Sequence, residues 1–409
     1  MPAAYSTFLT PEAALEIVLQ TIQTGPTETV SHAHALNRVL AQDVICDVDL
    51  PPFDNSAMDG YAVVAADLQT APARLTQIEI VGAGAVPTRV VERGTCLKIM
   101  TGAPLPQGAD AVVMREETRE VDGQIEFEET AVPAQNIRRA GSDVARGEVV
   151  LAIGTRVRAA QWAMLSALGQ SLVEVYQQPR VAIVTTGDEL VGVEAKLAPG
   201  QIRDSNGPAL RALCESAGAH IVAQKQVGDT SEQLRATLDE LAPNCDLILT
   251  SGGVSAGDFD PVRDVLLAEA SVLFWKVKMK PGKPVMFALY RETPVLALPG
   301  NPASVMVTWD LFARPALLKR SGARALRRLE VKARLEETLP SAGGRVEFVR
   351  AQVESRDGEL RARVSGDQGS GRLSTMTRAN ALLVIGENET QLDAGTEVSA
   401  RLLECAEVE

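Results

Sequence analysis

Aromatic residues are scarce in this chain. Phe, Tyr and Trp make up 4% of 409 residues, so Val, Leu, Ala and Ile must build the cores. Histidine is scarcer still, with only His32, His34 and His220. That leaves no Ser/His/Asp or Cys/His constellation and argues against a His/Cys zinc site; His32 and His34, two apart, suit neither one helix face nor a zinc spacing. The five cysteines (Cys46, Cys96, Cys214, Cys245, Cys405) are scattered, odd in number and without a CxxC pair. They read as reduced core thiols. Any metal is therefore expected to be hard and oxygen-bound. No apolar run is long enough to cross a bilayer, and "MPAAYSTFLTPEAALEIVLQ" lacks the basic-then-apolar start of a signal peptide. A cytoplasmic location without membrane partners is the expectation. The formal charge of −13 argues against a nucleic-acid coat, yet a locally basic pocket can still take an anionic small ligand.

What is present is an ordinary globular balance, 45% apolar and 23% charged, in a chain long enough for two to four structural units. Thr10 followed by Pro11 and Glu12 predicts a capped helix start, and Leu15, Val18, Leu19 and Ile22 recur at helical spacing until Gly25-Pro26. "RAAQWAMLSAL" predicts a second helix closing on Gly169. Between them, from about Asp43 to Val150, short β-like runs broken by Pro, Gly and Asn turns predict a mostly β unit. From Arg180, strand-like and helix-like segments alternate, through "RVAIVT", "NGPALRALCESAG", "HIVAQKQV", "SEQLRATLDELA" (with Ser231 as cap), "CDLILT" and "SVLFWKVKM". They end in one long helix, "NPASVMVTWDLFARPALLKR", and the pattern predicts a doubly wound α/β sheet. Beyond Gly322, alternating segments suggest a small all-β unit.

Ligands of open α/β sheets bind beyond the carboxyl ends of the strands. Those ends read "TTGDEL", "VGD", "TSGGVSAGD" and "LPGNP". All four should converge on one edge, with Thr186, Gly187, Ser251, Gly252, Gly253, Ser255, Pro299, Gly300 and Asn301 around an anion. Each corner alone is only a tight turn. Together they gather Asp188, Glu189, Asp229, Asp258 and Asp260 on one rim. Two unit charges 4 Å apart repel by roughly 4 kcal/mol at an effective dielectric of 20, so a cation among them is expected. Mg²⁺ fits, because it bridges one or two carboxylates to substrate phosphates. In "WKVKMKPGKP", strand alternation places Lys276, Lys278 and Lys280 on one face, and the turn can aim Lys283 at the same site. An oxyanion lying over these ammonium groups is one reading, and a solvated edge strand guarded by lysines is the other.

"FDNSAMDGYAV", "IMTGAPLP", "TTGDEL", "TSGGVSAGD", "FWKVKMKPGKP" and "LPGNPAS", in this order and spacing, resemble the molybdopterin molybdenumtransferases of the MoeA type, to which the C-terminal domain of gephyrin is also similar. The resemblance spans essentially the whole chain and implies a multidomain α/β fold. A discontinuous helical domain (1–44 and 147–178) would be interrupted by a mostly-β domain (45–146). A doubly wound α/β molybdopterin-binding domain (179–322) and a C-terminal β-barrel-like domain (323–409) would follow. It further implies insertion of molybdate into adenylylated molybdopterin with release of AMP, aided by Mg²⁺, in a homodimer whose active site is shared between subunits. A molybdopterin adenylyltransferase is the implied supplier of substrate. Carried over by motif, the site comprises Asp188, Glu189, Asp229, Asp260, Lys276 and Lys280, with Asp59 and Thr101 from the second subunit. Asp143, Arg350 and Ser370 rest on shorter matches, and the metal set is Asp188, Glu189 and Asp229. Two rivals remain at this level: an adenylyltransferase that consumes ATP, and a scaffold with no chemistry.

Overall fold

The computed structural model describes residues 5–255 and 260–403. Its largest sheet takes strands β1 (Ser6–Leu9), β2 (Arg180–Thr186), β3 (His220–Val227), β4 (Leu247–Ser251), β5 (Ser271–Val277), β6 (Met286–Tyr290) and β7 (Thr293–Leu298). Their spatial order is β1-β5-β6-β7-β4-β2-β3. Strands β3, β2, β4 and β7 run parallel, whereas β6 is antiparallel to both its neighbours. In β2, the stretch "VAIVTT" is buried throughout, as a central parallel strand covered on both faces requires. Val181, Ile183, Leu247 and Leu249 pack on one face with Leu210 and Cys214 of α2 (Asn206–Ser216). Ala182, Val184 and Ile248 pack on the other, against Leu234 and Leu238 of α3 (Ser231–Leu241) and Val262 and Leu266 of α4 (Pro261–Glu269). Helices on both faces make the sheet doubly wound, as expected.

Local sequence explains most boundaries. The helix Pro11–Thr21 starts where the Thr10 hydroxyl accepts the Ala13 N–H at 3.2 Å, and it buries Ala14, Leu15 and Val18 in the same core. The start of α3 is capped by Thr230, not Ser231: Thr230 is the last extended residue, and Ser231 is already helical. The expected long helix is helical from Pro302 to Arg320 but widens to a π turn over Trp309–Ala313. Pro315 has no N–H to give Leu311, and its ring presses on that carbonyl, so the chain takes up the mismatch one turn earlier. Alternation along "WKVKM" holds, with Val277 and Met279 buried and Lys278 exposed, but the strand is not regular. Lys276 adopts φ +71°, and β5 ends at Val277 before the two-residue strand Met279–Lys280.

The C-terminal strands β8 (Glu330–Leu335), β9 (Val346–Arg356), β10 (Glu359–Val364), β11 (Ala381–Ile385) and β12 (Glu397–Leu402) run in the order β9-β10-β8-β12-β11. Pairing of β9 with β11 closes them into a five-stranded barrel. Its interior is filled by small and branched side chains, Ala333, Ala351, Ala362, Ala381 and Ala400 among Leu335, Val349 and Leu383, which suits a narrow bore. Met279–Lys280 pairs with Val346 and Glu347 and so ties the sheet unit to the barrel.

A second compact unit, Gln42–Ile153 with Ala160–Ser171, is built on a six-stranded sheet around Tyr61, Val63, Leu68, Leu75 and Phe127. The segments flanking it are not purely helical, because Thr27–Ser31 and Leu172–Tyr176 form an antiparallel ribbon.

Candidate active site at the carboxyl edge of the sheet

Because β3, β2, β4 and β7 are parallel, their carboxyl ends share one edge. The chain leaves β2 for β3 on one side and then crosses to β4 on the other, so the connections part there and open a crevice. A cleft of about 440 Å³ lies at that edge. The four corners expected from sequence do converge on it. Thr186, Gly187 and Glu189 come from the first, Asp229 from the second, Ser251 to Ser255 from the third, and Pro299, Gly300 and Asn301 from the fourth. Asp260, buried at the entrance to α4, also lines it, 3.6 Å from Arg263 Nη1.

The floor is built to receive polar atoms. Thr186 Oγ1 is buried and has no hydrogen-bond partner among the described residues. Such an orphan costs about 1–3 kcal/mol unless a ligand satisfies it. Gly252 passes directly over it with φ +100°, and a Cβ there would stand 2.6 Å from Thr186 Oγ1 and 2.7 Å from the Thr186 carbonyl oxygen. Only glycine lets the backbone come so close. Gly252→Ala is therefore expected to weaken binding of a phosphate-bearing probe at least tenfold in a calorimetric titration and to lower the unfolding midpoint. Gly84→Ala, at φ +84° in open space, should carry only the backbone strain and leave binding of that probe unchanged.

Two residues that hold this edge together were missed in the sequence. Asp204 Oδ1 accepts the N–H groups of Asn206 (3.0 Å) and Gly207 (2.9 Å), while Oδ2 accepts the Thr185 hydroxyl at 2.9 Å. Asn206 Nδ2 donates to Ser251 Oγ at 3.0 Å and to the Gly300 carbonyl at 2.7 Å. Ser251 Oγ in turn donates to the Pro299 carbonyl at 3.3 Å. The "DSN" at the start of α2, three helix-capping residue types in a row, signals a cap but not the bridge that Asn206 makes.

The acids are arranged differently from expectation. The Asp188 N–H donates to Asp229 Oδ2 and the Asp229 N–H to Asp188 Oδ1, both at 3.2 Å, so these two corners are clasped together. Glu189 turns its carboxylate back over Gly187, where a Cβ would overlap it. Among the described residues no three acids form a metal-holding cluster, so the expected set of Asp188, Glu189 and Asp229 is not a protein-only cage. Two clasped carboxylates beside an anion-receiving floor still offer hard oxygen donors. They fit Mg²⁺ in the mode where substrate phosphates complete the shell. Asp258 lies outside the described residues.

The lysines are not among the residues lining the cleft, although Pro284 is. Lys280 Nζ pairs with buried Glu347 at 3.0 Å, and Lys276 Nζ lies 3.8 Å over the Trp275 ring. Arg350, a site residue by motif, is 1% exposed beneath the loop that carries Ser370. Its Nε donates to Thr375 Oγ1 at 3.2 Å and its Nη2 to the Gly369 carbonyl at 3.0 Å. Burial lowers its proton affinity, and Asp367 partly restores it. Ser370 does reach the edge, since Asn301 Nδ2 donates to its Oγ at 2.9 Å and its carbonyl accepts the Ala303 N–H. In the second unit, Asp59 Oδ1 accepts both the N–H and the hydroxyl of Thr101 at 2.7 Å, which hold its carboxyl below the usual carboxylate range. The Asp143 N–H donates to the Leu50 carbonyl at 2.9 Å.

Fold and cleft together define a multidomain α/β protein with a polar cleft at its sheet edge. Comparison with known proteins narrows the class. Residues 9–169 match the MoeA N-terminal region (domains I and II), residues 182–319 a probable molybdopterin binding domain, and residues 332–403 the MoeA C-terminal region (domain IV). Molybdopterin molybdenumtransferase 2 of Mycobacterium tuberculosis is 38% identical over 380 residues, 90% of this chain and 93% of that one. The molybdopterin molybdenumtransferase of Haemophilus influenzae is 35% identical, over 91% and 93%. The crystal structure of the molybdopterin biosynthesis moeA protein of Pyrococcus horikoshii superposes with a TM-score of 0.83 at 34% identity, covering 97% of this chain and all of that one. This chain belongs to the MoeA family of molybdopterin molybdenumtransferases.

Proposed function

We propose that this protein inserts molybdate into adenylylated molybdopterin, releasing AMP and forming the molybdenum cofactor with the help of Mg²⁺. The observation that carries the reading is the orphaned Thr186 hydroxyl under the Gly252 backbone, beside the clasped Asp188 and Asp229. A phosphate is the kind of partner the hydroxyl lacks, and a cation arriving with it would offset the charge of the acids. Asp188 and Asp229, with Glu189 beside them, would hold Mg²⁺, which supplies neutralisation of the pyrophosphate charge. The protein's own part is positioning and electrostatic preorganisation: the corners orient the phosphates, and Asn206 keeps the Ser251 and Gly300 corners in register. Lys276 and Ser370 would serve as partners for molybdate, and Lys280 would act from its pair with Glu347.

The family relationship supports a cytoplasmic homodimer of four-domain chains, in which the second copy supplies Asp59 and Thr101 and an adenylyltransferase hands over the substrate. The test is incubation of purified protein with adenylylated molybdopterin, Mg²⁺ and molybdate. AMP release that requires molybdate and falls when Mg²⁺ is omitted is expected. Pyrophosphate release from ATP, with no molybdate-dependent AMP, would make the protein an adenylyltransferase instead.

A further inference from the structure

A paired kink crosses the outer two strands of the sheet. In the parallel β1–β5 register, Ser6 faces Phe274, Thr7 faces Trp275 and Leu9 faces Val277, so Phe8 stands opposite Lys276. Both are left-handed, Phe8 at φ +55° and Lys276 at φ +71°. A bulky residue rarely takes that conformation, and two facing each other persist only where the surroundings over-determine them. The Lys276 N–H donates to the Val285 carbonyl (2.9 Å) and the Lys278 N–H to the Leu9 carbonyl (2.8 Å), which fixes the kink from both sides.

The kink brings charge and aromatic surface together. In a regular strand Trp275 and Lys276 would face opposite ways, yet Lys276 Nζ lies 3.8 Å from the Trp275 ring centroid and 5.9 Å from that of Phe8. Lys283 Nζ lies 5.3 Å from the same Phe8 ring. Phe8 remains 45% exposed. Among the described residues neither ammonium group forms an ion pair with a carboxylate, and the two like charges meet at one ring whose face attracts each of them. The cluster abuts the cleft: Trp275 Nε1 donates to the carbonyl of Val254 at 3.2 Å, and Val254 and Pro284 both line it.

We propose that Phe8, with Trp275, forms an aromatic ledge that holds the Lys276 and Lys283 ammonium groups beside the cleft for a tetrahedral oxyanion of the substrates. Phe8 is a positioning residue, acting through the two lysines. The inference rests on the reading of the cleft as an anion site, and molybdate and the AMP phosphate share the chemistry it requires.

The wild type, Phe8→Leu, Phe8→Tyr and the double variant Lys276→Ala/Lys283→Ala are titrated calorimetrically with sodium molybdate alone and with AMP alone. Phe8→Leu is expected to weaken one of the two anions about fivefold, and the affected arm identifies which oxyanion the ledge serves. Phe8→Tyr, which keeps the ring face, should stay within twofold of wild type. In the double-lysine background Phe8→Leu should have no further effect, an outcome that a merely structural role for the ring would not produce. Unchanged affinity of Phe8→Leu in both arms would overturn the proposal. So would equal loss in Phe8→Tyr, or a wild type that binds neither anion. Absence of molybdate-dependent AMP release, with the Phe8 dependence of anion binding intact, would overturn the proposed reaction and leave this inference standing.

Discussion

Glu189→Gln is expected to lower AMP release from adenylylated molybdopterin by at least about a hundredfold while leaving the unfolding midpoint unchanged. The side chain is exposed, lines the cleft, and makes no hydrogen bond through its carboxylate among the described residues. Its backbone carbonyl, which accepts the Ile202 N–H at 2.9 Å, is untouched by the substitution. A surface change away from the core moves stability by no more than about 0.5 kcal/mol. Gln keeps the shape that folds back over Gly187 and removes only the charge. A preorganised charge in a site of this kind contributes on the order of 100- to 1,000-fold, or about 3–4 kcal/mol of barrier. Steady-state AMP assays beside a thermal melt decide the matter. Retained turnover would remove Glu189 from the chemistry and leave Asp188 and Asp229 as the acids to test.

The edge of the sheet was legible because its determinants are local. Glycine before or after a hydroxyl residue at the end of an apolar run marks a strand-to-helix corner, and parallel topology then dictates that such corners meet. Thr10 and Pro11 announced the first helix for the same reason, since a cap is a relation between residues three apart. What escaped were relations across the chain. Lys276 and Phe8 are separated by most of the sequence, and their shared kink exists only once β1 lies beside β5. Alternation along "WKVKM" placed Val277 and Met279 inside and the lysines outside, but a period of two assumes extended backbone at every residue and so gave no sign of the left-handed Lys276. Asp188 and Asp229 looked like competing charges in sequence, but in space each carboxylate is met by the other residue's N–H. Asn206 was silent for a related reason: nothing in an asparagine after "DS" says that its amide will bridge two other loops.

Arg350 is the sharpest case, and replacing it should have the largest effect on the fold. An arginine near a candidate anion site invites a role in binding, yet burial of its guanidinium assigns it to the loop from Gly366 to Gly371. Arg350→Ala strips the Gly369 carbonyl and the Thr375 hydroxyl of a donor, at about 1–3 kcal/mol for the buried Thr375 and less for the exposed Gly369. Relief of a desolvated charge offsets part of that loss. A net destabilisation of about 2–4 kcal/mol is expected from denaturant titration. Arg350→Lys should recover little of it, because a single ammonium cannot span the planar fork that reaches both acceptors. Activity should respond in a different pattern from Glu189→Gln. With its loop unanchored, Ser370 no longer holds Asn301 at 2.9 Å, so KM for molybdate should rise more than kcat falls. If Arg350→Ala instead left stability intact and abolished kcat alone, the guanidinium would be acting on substrate directly, and the loop-anchoring role drawn from its hydrogen bonds would have to be given up.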